Sequence, residues 1–256
     1  MADGEPSFWG PVTSTTDWCE KNYVYSLYVA EFYNSLSNIP GIILAFVGLW
    51  NALRQGFEKR FSILHMSNLA LAIGSIIFHV TLNRVLQQWD ETPMVWEMLL
   101  YIYILYSPDW HYQSTMPTFL CLYAAVFAVV HSFVHFAVIF KIHYTLLCLL
   151  CIPRMYKYYL YTEDKSAKWL ARLYIISLLS GGVCCLFDRL FCKWILGWYY
   201  FNPQGHALWH IFMGFNSYVA NAFLMYCRAH QLGWNPNVAY WLGYFPYVKI
   251  QKPKIE

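Results

Sequence analysis

Apolar residues in this chain gather into seven long runs instead of alternating with polar ones. The runs are Leu36–Leu53, Phe61–Leu82, Pro93–Tyr106, Met116–Phe136, Ile142–Leu160, Trp169–Leu196 and Ala207–Tyr226. A helix needs roughly 20 residues to cross the hydrocarbon core of a bilayer, so the pattern predicts seven transmembrane helices. The third run is short and holds Glu97, and few residues separate the fourth from the fifth. Trp and Tyr collect at the run ends, as interfacial rings do. No internal repeat or low-complexity segment interrupts the pattern. The expected fold is an all-α membrane protein: a seven-helix bundle over residues 31–228, a polar stretch at 1–30 and a tail at 229–256.

Composition supports that class. The chain is 59% hydrophobic, 20% aromatic and 12% charged, where a soluble domain carries about 25% charge. Charge then orients the bundle. With the N-terminus outside the cytosol, twelve of the seventeen Lys and Arg fall on the cytosolic side, among them Lys59, Arg60, Arg154 and Arg228. Lys21, Arg84, Lys141, Arg189 and Lys193 fall opposite. Positive residues stay cytosolic, so the N-terminus is expected to be lumenal and the tail cytosolic or interfacial. The first 30 residues show no basic segment followed by a cleavable apolar stretch, so no secretory signal is expected. The ending Lys252-Pro-Lys254-Ile-Glu256 resembles a dilysine retrieval signal, which would place the protein in the endoplasmic reticulum and/or Golgi; a basic tail obeying the charge rule is the plain alternative. No nucleic-acid partner is expected.

Candidate chemistry begins at His206-Ala-Leu-Trp-His210, at the head of the last run. Residues four apart on a helix lie about 40° apart on one face, which lets two imidazoles reach one metal ion. A catalytic zinc takes three protein ligands and keeps a position for water. The third ligand is expected to be His79, near the end of the second run, with Ser75 one turn behind it. His131-Ser-Phe-Val-His135 is a second pair at the same spacing, so spacing alone does not choose between them. The orientation assigned above carries His79, Asp90 and His206 to the non-cytosolic ends of their helices. Asp90 is expected in a turn leading into a helix that starts near Pro93, with Thr92 free to cap it. Glu97 has no evident role. A Ser75–His79 nucleophile pair is an alternative to zinc, but no orienting acid accompanies it.

In the polar N-terminal stretch, Asp17, Glu20, Asn22 and Glu31 present oxygens suited to calcium, although the spacing is not that of an EF-hand; an acidic solvated flank is the competing reading. Cys19 and Cys192 both fall on the lumenal side, where disulfides are permitted, and form the natural pair. The other cysteines lie within apolar runs.

Several ordered motifs together resemble the alkaline ceramidases: Trp9-Gly-Pro11, Asp17-Trp18-Cys19-Glu20, Ala30-Glu31-Phe32, Asn34, Ser37-Asn38, Ser75-x-x-x-His79, Asp90-Glu91-x-Pro93-Met94 and His206-x-x-x-His210. The resemblance covers nearly the whole chain, and its wider superfamily includes the adiponectin receptors. It implies zinc on His79, His206 and His210 with Ser75 and Asp90 as catalytic groups. It also implies calcium on Asp17, the Trp18 carbonyl, Glu20, Asn22 and Glu31, and removes His131 and His135 from contention. The implied activity is hydrolysis of the ceramide amide by water, with zinc activating that water, Asp90 shuttling the proton and Ser75 steadying the oxyanion. Two alternatives stand beside it: a lipid receptor in which zinc is only structural, and a superfamily hydrolase acting on another lipid amide or ester.

Overall fold

The computed structural model describes residues 7–107, 115–134, 137–197, 202–241 and 243–252. Within them a five-residue helix α1 (Phe32–Leu36) precedes seven long helices: α2 (Ile39–Arg54), α3 (Lys59–Thr81), α4 (Arg84–Tyr106), α5 (Met116–Phe133), α6 (Ala137–Tyr161), α7 (Lys165–Gly197) and α8 (Gly205–Gln231). Each long helix overlaps one of the seven apolar runs. Five segments are long and apolar enough to cross a membrane: Phe32–Arg54, Lys59–Thr81, Met116–Phe133, Ala137–Tyr161 and Lys165–Cys192. Helices α4 and α8 fall short of that measure because they carry Asp90, Glu91, Glu97, His206, His210 and three asparagines and glutamines on inward faces. Leu, Ile, Val and Phe side chains stand exposed along α5, α6 and α7, a lipid-facing surface in a chain of this composition.

Helix α4 differs from the expected one. It begins nine residues earlier, at Arg84, with Asn83 as its N-cap accepting from the backbone N–H of Val85 at 2.8 Å. Asp90 is therefore on a helix and not in a turn. Pro93 sits inside α4, where its missing N–H leaves the Trp89 carbonyl without a helical partner. That carbonyl lies against Gly74 of α3: a Cβ on Gly74 would sit 1.9 Å from the Trp89 oxygen. The contact draws together the segments bearing Ser75 and Asp90, each next in sequence to a residue of the crossing.

A second close crossing joins α2 to α8. A Cβ on Gly214 would stand 2.7 Å from the Gly41 Cα, so small residues let the two backbones meet. One turn away from each glycine are Ser37 and His210, which the crossing brings together.

The all-helical expectation misses the tail, which folds back as an antiparallel hairpin of β1 (Asn235–Trp241) and β2 (Phe245–Gln251). Val238 and Val248 face inward as a cross-strand pair. The hairpin docks through hydrogen bonds from Tyr218 Oη to the Pro246 carbonyl (2.8 Å) and from Asn51 Nδ2 to the Val248 carbonyl (3.1 Å). At the opposite end of the bundle the N-terminal strap, residues 7–31, lies over the ends of α3, α4 and α7. Thr13 and Ser14 donate backbone N–H groups to the Leu82 carbonyl, and the Thr15 N–H donates to Gln87.

Candidate metal centre and catalytic cavity

Beneath the strap His79, His206 and His210 converge, all buried, each offering a ring nitrogen within 4.8 Å of the others. Their surroundings assign the protons. The Asn34 carbonyl can only accept, so His210 Nδ1 donates to it at 3.0 Å, with Ser37 Oγ and Asn38 Nδ2 packed on the same side at 2.9 and 3.1 Å. His79 Nδ1 is bonded to Glu31 Oε2. His79 Nε2 and His206 Nδ1 are buried without a hydrogen-bond partner among the described residues. Buried nitrogens with free lone pairs are costly to leave unpaired. Rings whose other N–H is tied to a carboxylate or a carbonyl are what a metal-binding histidine requires. The donor set fits a zinc ion.

Trp18 stacks flat on His206, ring centroids 3.3 Å apart, and Arg189 covers Trp18 at 4.2 Å. The Asp188 carboxylate accepts from the backbone N–H of Cys19 (3.2 Å) and of His206 (3.3 Å), tying the strap to the first turn of α8. Cys19 and Cys192 lie at disulfide spacing, Cα–Cα 5.2 Å.

A cavity of 380 Å³ opens below this level, lined by Ser75, Asp90, His206 and His210 at one end and by Leu105 and Met155 at the other. Its size is in the range of small-molecule sites. Ser75 Oγ is buried beside the Asp90 carboxyl, its polar neighbour across the α3–α4 crossing. Asp90 borders the cavity and belongs to α4, so helix packing holds it in place.

The N-terminal acids assemble around α1. Glu20 accepts from the backbone N–H of Tyr33 (2.7 Å) and Asn34 (2.9 Å), capping that helix from a distance in sequence. Burial raises the Glu20 carboxyl above its ordinary pKa, against those two N–H groups, which lower it. Glu31 is fully buried; burial pushes it up to about 8, opposed by the Asn34 side-chain amide and reinforced by the charge of Asp17. Asn22 Nδ2 donates to Asp17 at 3.3 Å, while Asn22 Oδ1 is buried with no partner among the described residues. Crowded acids and an idle amide oxygen fit a hard cation such as calcium. Glu31 belongs to both clusters, accepting from the Trp18 N–H at 3.2 Å and binding His79. Sequence reasoning kept the two sites apart and missed this bridge.

His131 is not part of the three-histidine cluster. Its Nε2 meets Glu91 Oε2 at 2.7 Å, and His135 lies outside the described residues. Sequence reasoning also missed the groups that brace His210. Asn34, Ser37 and Asn38 stood in the recognised motifs, but nothing local said they would face α8.

The Ceramidase family model matches residues 10–249. This chain belongs to the ceramidase family. It is 67% identical to an alkaline ceramidase of Arabidopsis thaliana over the full length of both chains. It is 31% identical to alkaline ceramidase 3 of Mus musculus, across 95% of each. With alkaline ceramidase 1 of Homo sapiens it shares 25% identity over 96% of this chain and 97% of that one.

Proposed function

We propose that this ceramidase-family chain hydrolyses the amide of ceramide, releasing a sphingoid base and a free fatty acid. The supporting observation is the convergence of three buried imidazoles, two of which, His206 and His210, line the same cavity as Ser75 and Asp90. His79, His206 and His210 would hold zinc, which when bound supplies a Lewis acid that polarises a carbonyl and makes water more acidic. Asp90 takes the proton of the attacking water and returns it to the amide nitrogen as the C–N bond breaks. Ser75 donates a hydrogen bond to the carbonyl oxygen as negative charge develops there. The apolar lower cavity receives lipid chain, and the strap shields the reacting end from bulk water. Residues 31–228 form the catalytic unit, with all seven long helices crossing the membrane of the endoplasmic reticulum and/or Golgi and the N-terminus lumenal. Purified protein should release fatty acid from ceramide with about one zinc per chain. Zinc without hydrolysis would favour a receptor, and faster turnover of another amide or ester in a side-by-side panel would reassign the substrate.

Ser75→Ala should slow turnover by about a hundredfold, the effect of losing one oxyanion donor, while zinc stays bound. Mass spectrometry of quenched reactions should find no fatty-acyl adduct on wild-type Ser75. An acyl ester there would replace the water mechanism with a nucleophilic serine.

Calcium would sit on Asp17, the Trp18 carbonyl, Glu20, Asn22 and Glu31, offsetting the repulsion among the three acids. Because Glu31 also orients His79, calcium acts on the zinc site through one shared carboxylate. Chelating calcium should lower activity and thermal stability with zinc retained. Glu31→Gln should weaken zinc about 10–100-fold, the usual effect of removing a ligand's supporting partner, and abolish the response to added calcium. A mutant that still responds at wild-type calcium affinity would place the ion elsewhere.

We assign a covalent Cys19–Cys192 bond in protein taken from the secretory pathway. It closes a long loop, worth on the order of 4–5 kcal/mol in the chain-entropy model. Non-reduced peptide mapping should recover the linked pair, and two free thiols would refute it.

A further inference from the structure

Each of the three helices that build the reacting end of the cavity carries a second polar residue seven positions away from the first. Ser75 is followed down α3 by Asn68, Asp90 down α4 by Glu97, and His210 down α8 by Ser217. Seven residues is two turns, so the second layer lies about 10 Å deeper on the same three faces. All three residues line the cavity. Ser217 Oγ donates to Glu97 Oε1 at 3.0 Å. In the amide orientation that satisfies both its ends, Asn68 donates to the same oxygen at 2.9 Å and accepts from Asn221 at 3.0 Å. Asn221 Nδ2 also donates to His65 Nδ1 at 3.3 Å, and its oxygen accepts from Tyr101 Oη. Since His65 Nδ1 accepts, its proton is on Nε2, which is buried without a partner among the described residues.

A carboxylate in the middle of a transmembrane bundle is costly, and a purely structural role would be met by apolar packing. This layer also stands on the wall of the cavity that Cys148, Cys151 and Met155 line as well. It offers both an acceptor, Glu97, and unspent donor capacity, His65. A cation would meet the His65 N–H, whereas a hydroxyl, being donor and acceptor at once, suits the pair.

We propose that this second polar layer is a subsite for a hydroxyl group carried part-way along an aliphatic chain of the lipid substrate. The inference rests on the lipid-hydrolase reading above. An extended chain advances about 1.2 Å per bond, so the hydroxyl belongs roughly eight to ten bonds from the scissile carbon.

The test uses full-length protein and three ceramides of equal chain length: one plain, one with a hydroxyl near the tenth acyl carbon, one with a hydroxyl at the matching depth of the sphingoid base. Wild type should favour one hydroxylated substrate over the plain one by roughly three- to tenfold in kcat/KM, as one or two net hydrogen bonds allow. The preferred arm identifies the chain that lies on the layer. Glu97→Gln and Ser217→Ala should bring the ratio towards one, and the ratio is the readout because a change in folding alters all three rates together. Equal rates on all three substrates in wild type would overturn the subsite while leaving the hydrolase reading intact. Unchanged ratios in both variants, accompanied by a fall in thermal stability, would make the layer a staple between helices. Failure to cleave any ceramide would instead fall on the function proposed above.

Discussion

Alanine at His79, His206 or His210 is expected to abolish ceramide hydrolysis and to release zinc. Three ligands are the minimum that holds a catalytic zinc while keeping a position for chemistry. Two imidazoles cannot replace three here, because the third ring's partners are fixed. His79 Nδ1 is held by Glu31 and His210 Nδ1 by the Asn34 carbonyl, so neither ring can turn its other nitrogen inward without breaking those bonds. The decisive measurement is metal content of each purified mutant beside its turnover. Stoichiometric zinc in all three single mutants would move the metal elsewhere, and His131 with its Glu91 partner would be the next residue to mutate. Since the three rings are fully enclosed, a folding check is needed alongside. His210→Gln, closer in shape to imidazole, should retain the fold and still lose the metal.

Asp90→Asn should lower kcat by a factor of about 10²–10⁴, the usual contribution of a positioned acid–base group, with zinc still bound. Asparagine keeps the shape and the bonds of the side chain but cannot take a proton. The effect therefore separates proton transfer from packing. Helix α4 holds the carboxylate at the cavity wall, and the Gly74–Trp89 crossing keeps it beside Ser75. Turnover within threefold of wild type would assign the base to another group, with the neighbouring Glu91 as the first to test. Loss of zinc in this mutant would make Asp90 a ligand or a support for one.

The membrane class was legible because long apolar runs bury a backbone that would have no water to bond with; each of the seven runs falls on a long helix, and five described segments are long and apolar enough to cross a membrane. The cluster of His79, His206 and His210 was legible in part. His206 and His210 share a helix face by spacing alone, whereas His131 and His135 have the same spacing, and only matching motifs elsewhere favoured the first pair. The start of α4 was not legible. Pro93 marks a helix beginning in local terms, and nothing nearby says that Asn83 caps the chain ten residues earlier while Gly74 accommodates the carbonyl that proline frees.

What the sequence alone determined, then, is what periodicity and residue type carry: the apolar helices, and the helix face that His206 and His210 share. Tertiary structure decided which polar groups meet. Glu31 reaches His79 across 48 positions and Asn34 reaches His210 across 176. Such pairings depend on helix crossing angles and on where glycines let backbones touch, as Gly41 and Gly214 do one turn from Ser37 and His210. A helix wheel gives the face of a residue but not the neighbour that face will find, because the neighbour is chosen by close packing summed over several helices at once.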